Sequence, residues 1–197
     1  MLLQPLLLAL AYALGAVPFG VLIAKAFKGI DPRTQGSGNP GATNVARLCG
    51  LPFGILTLAC DLLKGLLPVW LAMQISDNAL FHSLTALAAV SGHIKSFFLN
   101  FHGGKGVATT IGALIPLGFW PLLTSVVCCV AIIGLTGYVS TGSLMLVASL
   151  IVIYPLFGRW ELLPLALVLL CIVFWTHREN IQRLALGTEK GFLTKRG

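Results

Sequence analysis

The stretch PFGILTLACDLLKGLLPVWLAMQI, residues 52–75, decides the fold class of this chain. About 20 predominantly apolar residues cross the hydrocarbon core of a bilayer, so the stretch predicts a transmembrane helix. Its two charged side chains, Asp61 and Lys64, are three residues apart and can pair on one helix face. Charges at membrane depth cost roughly 2.5–3.5 kcal/mol each on insertion scales. The pair therefore serves function or helix packing, and both interpretations stay open.

The rest of the chain has the same character. Of its 197 residues, 57% are apolar and 10% are charged, whereas soluble domains have about 45–50% and about 25%. A soluble fold of this size has too little interior for so much apolar surface. We predict an all-α integral membrane protein with a single domain over residues 1–197. About seven transmembrane helices are expected, with a five-span arrangement as the alternative; the seven lie at residues 3–24, 52–75, 79–99, 107–119, 121–138, 143–157 and 162–177.

Two features of this assignment rest on proline, glycine and charge. Pro116, Gly118 and Pro121 mark either a tight turn or a kink in one long helix, and the turn is favoured because it makes the charge distribution consistent. The run from Leu2 to Ala24 has no basic segment before it, and Lys25 follows it. We therefore expect a retained span, with the N-terminus in the periplasm, and not a signal peptide.

Basic residues cluster on the predicted cytoplasmic side. The formal net charge is +7, and the basic residues occupy short segments between apolar runs, which indicates topology and anionic ligands, not nucleic acid. The inner segments contain Lys25, Lys28, Arg33, Arg47, Lys95, Lys105, Arg178, Arg183, Lys190, Lys195 and Arg196. This positive-inside bias places the C-terminus in the cytoplasm and the polar loops at the cytosolic face of the membrane.

The first inner loop reads GSGNPGATNVAR, residues 36–47. Glycines let the backbone approach a ligand closely, and successive N–H groups can form an anion-binding nest. Asparagine amides and an arginine fork add donors suited to phosphate. The candidate binding residues in this loop are Ser37, Gly38, Asn39, Gly41, Asn44 and Arg47.

A second inner loop, HGGKGVATT at residues 102–110, immediately precedes a predicted helix. Gly103, Gly104 and Gly106 would expose N–H groups at the positive end of that helix, and Lys105 adds a charge. The pattern is not a Walker A loop, because no Ser or Thr follows the lysine. His93, in the preceding span, is a weaker candidate, as is Lys64.

The inner end of the last span reads HRENIQRL, residues 177–184. Helical spacing places His177 and Asn180 on one side, where both can face a ligand. Ser140 and Ser143 are weaker candidates, since either can also cap a helix. With six acidic residues in the chain, the carboxylate pairs that hold magnesium are hard to assemble. We therefore expect neither a metal nor a cofactor.

The segments GSGNPGATNVAR, DLLKG, GH…GGKGVAT and THRENIQRL together resemble the bacterial acyl-phosphate:glycerol-3-phosphate acyltransferases, the PlsY family. The resemblance covers nearly the whole chain. It implies a seven-span bundle whose active site faces the cytosol. It also implies transfer of a fatty acyl group from acyl-phosphate to the 1-hydroxyl of glycerol 3-phosphate, which yields lysophosphatidate and phosphate.

A mechanism follows as a hypothesis. The phosphate of glycerol 3-phosphate would lie among Ser37, Arg47, Lys105, His177 and Asn180, and the long-chain acyl-phosphate would lie beside it, with its chain among the helices and membrane lipid. The alternative is a transporter of a phosphorylated or anionic solute, which would also use intramembrane charges and glycine-rich breaks. The basic loops on one face and the lack of a visible inverted repeat favour the enzyme.

Overall fold

The structure is a computed structural model and describes residues 2–192. Within that range the regular elements are α-helices joined by turns and by two longer loops, residues 29–41 and 95–106, with 3₁₀ turns at Phe97–Leu99 and Trp160–Leu162. The helices are α1 (Leu3–Ala16), α2 (Phe19–Lys28), α3 (Ala42–Cys49), α4 (Leu51–Ile75), α5 (Ala79–Ile94), α6 (Val107–Leu114), α7 (Phe119–Thr136), α8 (Val139–Leu156), α9 (Leu163–Thr176) and α10 (Arg178–Ala185). The all-α prediction is confirmed for the described residues.

The chain divides into two compact units, residues 1–117 and residues 118–197. In the first unit, α1 packs against α5 and α4 packs against α6. Reciprocal glycines permit both contacts. A Cβ at Gly15 or Gly92 would overlap the backbone of the facing helix in the α1–α5 pair, and the same holds for Gly65 and Gly112 in the α4–α6 pair. Small residues of this kind let membrane helices approach closely.

In the second unit, α8 packs against both α7 and α9. The segment after α10 returns to the turn between α7 and α8, where the Phe192 N–H donates to the Gly137 carbonyl at 2.9 Å. The chain bends by 60° between the last span and α10. This bend places His177 at the junction and starts the polar helix α10 directly after the apolar α9.

Several helices are long enough to cross a membrane. Among the described residues, four qualify by length and composition, namely residues 3–28 taken together, α4, α7 and α8, and the bent α9–α10 pair would be a fifth. These helices confirm a multi-pass membrane protein. The predicted span at 107–119 contains only α6, whose eight residues extend about 12 Å at 1.5 Å per residue, well short of a hydrocarbon core of about 30 Å.

The division between the fourth and fifth predicted spans falls at a turn. Helix α6 ends at Leu114 and α7 begins at Phe119, so residues 107–138 form two separate helices. Pro121 lies in the first turn of α7, where its missing N–H costs no intrahelical hydrogen bond. The favoured turn therefore agrees with these helix bounds, whereas the single kinked helix does not.

Candidate active site

Asn44 organises the first loop. Its side chain is buried, with 2% of the residue exposed. The amide Nδ2 donates to the carbonyls of Pro32, Gln35 and Asn39 at 2.8, 3.1 and 3.0 Å, and the Oδ1 accepts from the Ser37 N–H at 2.9 Å. One side chain thus satisfies four backbone groups of a segment without regular structure. Asn44 holds the loop, and its predicted contact with substrate stays a prediction.

The loop turns tightly around that amide. Gly36 and Gly38 adopt positive φ angles of 65° and 71°, which residues with a Cβ rarely adopt. A Cβ at Gly36 would also collide with the Asn44 side chain. Asn39 accepts from the Gly41 N–H at 2.9 Å, which fixes the entry to α3. The glycines here therefore shape the loop.

Ser37 and Arg47 are the polar groups that this loop presents beyond its own scaffold. Ser37 is exposed, and Arg47 is half-buried in the last turn of α3. Arg47 follows Asn44 by three residues, so the two share a face of the helix. Ser37 and Arg47 thus lie in one short segment, and their roles as phosphate ligands stay predictions.

The glycine loop at residues 103–106 is tied to the end of α5. The Gly103 N–H donates to the Ile94 carbonyl at 2.9 Å, and the Gly104 N–H donates to the His93 carbonyl at 3.1 Å. These two N–H groups therefore serve the fold, although the sequence predicts them as ligand donors. Gly106 has a φ of 86° and starts α6, whose first N–H groups lack intrahelical acceptors.

The intramembrane pair predicted in α4 is present. Lys64 Nζ lies 2.8 Å from Asp61 Oδ1 and donates to the Val17 carbonyl at 2.9 Å. Both residues are 3% exposed. His93 Nδ1 lies 3.7 Å from the same Asp61 oxygen, which is longer than a hydrogen bond. The predicted roles of Lys64 and His93 in substrate binding stay predictions.

In the second unit, His177 is buried at the junction of α9 and α10, with 3% of the residue exposed. Its Nδ1 lies 2.9 Å from the Val173 carbonyl. Because a carbonyl only accepts, Nδ1 carries the hydrogen, and in the neutral ring the lone pair resides on Nε2. His177 therefore has a fixed tautomer, which suits either a base or an anion donor at Nε2.

Asn180 and Ser140 both donate to Glu189, an acid that the sequence reasoning missed. The Asn180 amide lies 2.5 Å from Glu189 Oε1, and the Ser140 hydroxyl lies 2.9 Å from the same oxygen. Arg183 Nε contacts the other carboxylate oxygen at 2.7 Å. The signal in the sequence is a lone acid just beyond a basic helix. Ser143 instead donates to Val139 within its own helix.

Burial and hydrogen bonding act on Glu189 in opposite directions. Partial burial raises the pKa of its carboxyl, but the hydrogen bonds from Asn180, Arg183 and Ser140 outweigh burial and hold that pKa below its ordinary value. The carboxylate is thus ionised at neutral pH and matches the donors around it. The Glu189 carboxylate therefore already accepts hydrogen bonds from Asn180 and Ser140, two residues that the sequence predicts as substrate ligands.

Comparisons with known proteins agree with these features. The family model described as glycerol-3-phosphate acyltransferase matches residues 5–187. A glycerol-3-phosphate acyltransferase of Nitratidesulfovibrio vulgaris is 57% identical over 188 residues, which cover 95% of this chain and 58% of that relative. Its counterpart in Desulfovibrio desulfuricans is 54% identical over 98% of this chain and 86% of its own length.

Solved structures give the same result for the fold. The crystal structure of PlsY, an integral membrane glycerol 3-phosphate acyltransferase, in its glycerol 3-phosphate form, is 37% identical and has a TM-score of 0.91. The match covers 95% of this chain and 94% of that chain. The lysophosphatidic acid form of the same protein gives a TM-score of 0.89.

Proposed function

Because this chain belongs to the glycerol-3-phosphate acyltransferase family and is an acyltransferase that acts on glycerol 3-phosphate, we propose that its acyl donor is a long-chain acyl-phosphate. The products are then 1-acyl-glycerol 3-phosphate and inorganic phosphate. Such a reaction requires an enzyme that binds two phosphate groups and one fatty chain. The polar, glycine-rich loops between apolar helices support this assignment.

The observation that carries the proposal is the scaffold around Asn44. Its four hydrogen bonds hold the loop backbone rigidly and leave Ser37 exposed. A loop that is already ordered loses little entropy when it binds a phosphate. Arg47 on α3 adds a planar guanidinium, which binds phosphate through paired hydrogen bonds.

We assign the glycerol 3-phosphate phosphate to Ser37, Arg47 and Lys105, with His177 and Asn180 as further ligands. Gly103 and Gly104 already donate their N–H groups to carbonyls of α5. Donors to the developing oxyanion therefore fall to Gly106 and the first N–H groups of α6. Preorganised N–H donors of this type are worth about 2.7–4 kcal/mol each to a transition state.

In the reaction, the 1-hydroxyl oxygen of glycerol 3-phosphate attacks the carbonyl carbon of the donor. A carbon–oxygen bond to glycerol forms, the bond between the carbonyl carbon and the phosphate oxygen breaks, and phosphate leaves with the electron pair. The hydroxyl proton passes to an oxygen of the departing phosphate. His177 is the alternative base, but a histidine that binds anions favours its protonated form, which cannot accept the proton.

We also propose the finer topology. The enzyme lies in the bacterial inner membrane as one domain of about seven spans, the short α6 among them, with a periplasmic N-terminus and an active site at the cytosolic face. The concentration of Lys and Arg in the segments that carry the two loops supports this orientation. Attaching an impermeant thiol probe to an introduced cysteine at Thr34, two residues before the first loop, would establish which side that loop faces.

The test of the donor is phosphate release by the purified protein in detergent. With palmitoyl-phosphate, release should require glycerol 3-phosphate and be matched by lysophosphatidate formation. Lys105→Ala should abolish release, whereas Lys28→Ala, which removes an exposed cation on α2, should retain it. Folded protein that releases no phosphate but acylates glycerol 3-phosphate from an acyl-thioester would refute the acyl-phosphate donor.

A further inference from the structure

The first membrane span is broken between α1 and α2, and two side chains that are distant in sequence, Lys64 and Ser96, donate hydrogen bonds to the break. The last carbonyls of a helix lack intrahelical partners, and within a membrane each unsatisfied backbone group costs several kcal/mol. Here the Ala16 carbonyl accepts from the Ser96 hydroxyl at 2.5 Å, and the Val17 carbonyl accepts from Lys64 Nζ at 2.9 Å. Lys64 therefore stabilises the break as well as pairing with Asp61.

The cost of burying charges indicates that the stability of the fold alone does not account for the Asp61–Lys64 pair. A buried ion pair can often be replaced by apolar side chains with no loss of stability, or with a gain. Asp61 and Lys64 are both nearly inaccessible, so the chain retains an expensive pair where an apolar pair would pack. A positional role accounts for the pair, because only a long cationic side chain can neutralise Asp61 and donate to the Val17 carbonyl together.

The break is in direct contact with the first loop. Gly20, in the first turn of α2, packs so closely on the Pro40 carbonyl that a Cβ would collide with it. Pro40 connects the Asn44-held loop to α3. The position of the break therefore determines the position of the loop that contains Ser37.

The same cluster touches the glycine loop. His93, which lies 3.7 Å from Asp61, accepts the Gly104 N–H through its carbonyl. Its ring lies against Gly104, where a Cβ would collide with the imidazole. A cavity of about 10 Å³ lies at the meeting point and is lined by residues of the break, the pair, Pro40 and Gly104. It has room for about one water molecule.

We propose that Asp61, Lys64 and His93 form one positioning cluster that fixes the two loops relative to each other. The cluster touches Val17 at the break and Gly104 in the glycine loop, and it acts on substrate through these loops, in place of the ligand roles predicted for Lys64 and His93. This inference deepens the proposed function, on which its kinetic readout rests. It predicts that loss of the cluster affects the binding of glycerol 3-phosphate and the order of both loops more than the fold.

The first test uses the double variant Asp61→Leu/Lys64→Met in detergent. The apolar pair should keep the thermal midpoint close to that of the parent, because neither partner leaves a buried charge behind and the Val17 carbonyl still accepts from the Phe19 N–H at 3.1 Å. The KM for glycerol 3-phosphate should rise at least tenfold, and kcat should change less. The amide N–H groups of Gly104 and Ser37 should exchange with deuterium at least tenfold faster. The exchange needs no substrate, so it reports on the cluster even if acyl-phosphate is not the donor.

The matched control is Thr85→Val on α5. Thr85 is fully buried and donates within its own helix to the Phe81 carbonyl at 2.8 Å, so its loss should leave KM and loop exchange unchanged. If the double apolar variant does not fold, Asp61→Asn/Lys64→Gln replaces it, because Gln is too short to reach the Val17 carbonyl. A folded variant of either kind with parental KM and parental loop exchange would overturn the proposal.

Discussion

Asn180 Nδ2 lies 2.5 Å from Glu189 Oε1, so an amide on α10 donates to a carboxylate of the C-terminal segment. Ser140, at the start of α8, donates to the same oxygen. One acid thus joins two helices of the second unit and fixes the direction of two predicted ligand side chains. Glu189 acts on them as a positioning residue.

Glu189→Ala should destabilise the protein by about 2 kcal/mol, because it removes the partly buried acceptor of hydrogen bonds from Asn180, Ser140 and Arg183. The measurement is thermal unfolding in detergent. Glu179→Gln is the control, since Glu179 is 69% exposed and its two arginine contacts are long, at 3.9 Å. Equal midpoints for the two variants would contradict the role of Glu189.

The stabilisation by Glu189 should depend on pH. Its folded pKa is lower than the ordinary 4.5, so the contribution is fully present above that value and is lost as pH falls through the folded pKa. The difference in thermal midpoint between the parent and Glu189→Gln should therefore be constant near neutrality and vanish in acid. The hydrogen bond from Arg33 also lowers the pKa of Asp31. Asp31 is present in both proteins, so its contribution to the pH dependence cancels in the difference between their midpoints. A difference that persists in strong acid would contradict the prediction.

Asn44→Ala should loosen the first loop. It removes donors to three carbonyls and the acceptor of the Ser37 N–H, at about 1–3 kcal/mol for each buried group left unsatisfied. We expect a lower thermal midpoint, a KM for glycerol 3-phosphate at least tenfold higher, and faster deuterium exchange at Ser37.

Thr34→Ala is the control for that variant. It removes one local hydrogen bond, to the Asp31 carbonyl, from an exposed position of the same loop. Surface changes of this kind stay within about 0.5 kcal/mol. If Asn44→Ala kept the parental KM, the loop would not depend on this amide for binding.

The long helices could be predicted because their signal is local. Residues 52–75 are α4 (Leu51–Ile75) almost to the residue, and the predicted run 121–138 is α7 shifted by two positions. The split of the first span between α1 and α2 is a tertiary effect. Pro18 marks it in the sequence, but Lys64, 47 positions from Val17, stabilises it by donating to the Val17 carbonyl, and no local pattern connects the two.

The sequence predicts which loops form the candidate site, but it does not distinguish the residues that bind substrate from those that shape the loops. The sequence indicated that Asn44 and Gly104 matter, because amides and glycines in a long loop suit a phosphate. It did not indicate that the Asn44 side chain forms its hydrogen bonds with the loop backbone, or that the Gly104 N–H donates to the His93 carbonyl. A residue that binds a ligand and a residue that shapes the loop can be of the same type and at the same spacing. Only the contacts in the structure distinguish the two roles.

His177→Gln should raise the KM for glycerol 3-phosphate and leave kcat near that of the parent. We expect this result because the donor phosphate takes the proton, and His177, whose Nδ1 donates to Val173, then binds anion through Nε2. Steady-state kinetics with varied glycerol 3-phosphate separate the two parameters. A collapse of kcat with an unchanged KM would instead identify His177 as the general base.

Gly104→Ala should impair binding of glycerol 3-phosphate through a steric effect alone. The added Cβ would overlap the His93 ring, which is buried and close to Asp61, so the glycine loop must move away from α5. We expect a KM at least tenfold higher and a lower thermal midpoint. Gly134→Ala is the matched control, because a Cβ there meets no atom within 4 Å. In a helix interior that change should stabilise the protein by about 0.5–1 kcal/mol. Parental KM in folded Gly104→Ala would show that the position of this loop does not set the affinity for glycerol 3-phosphate.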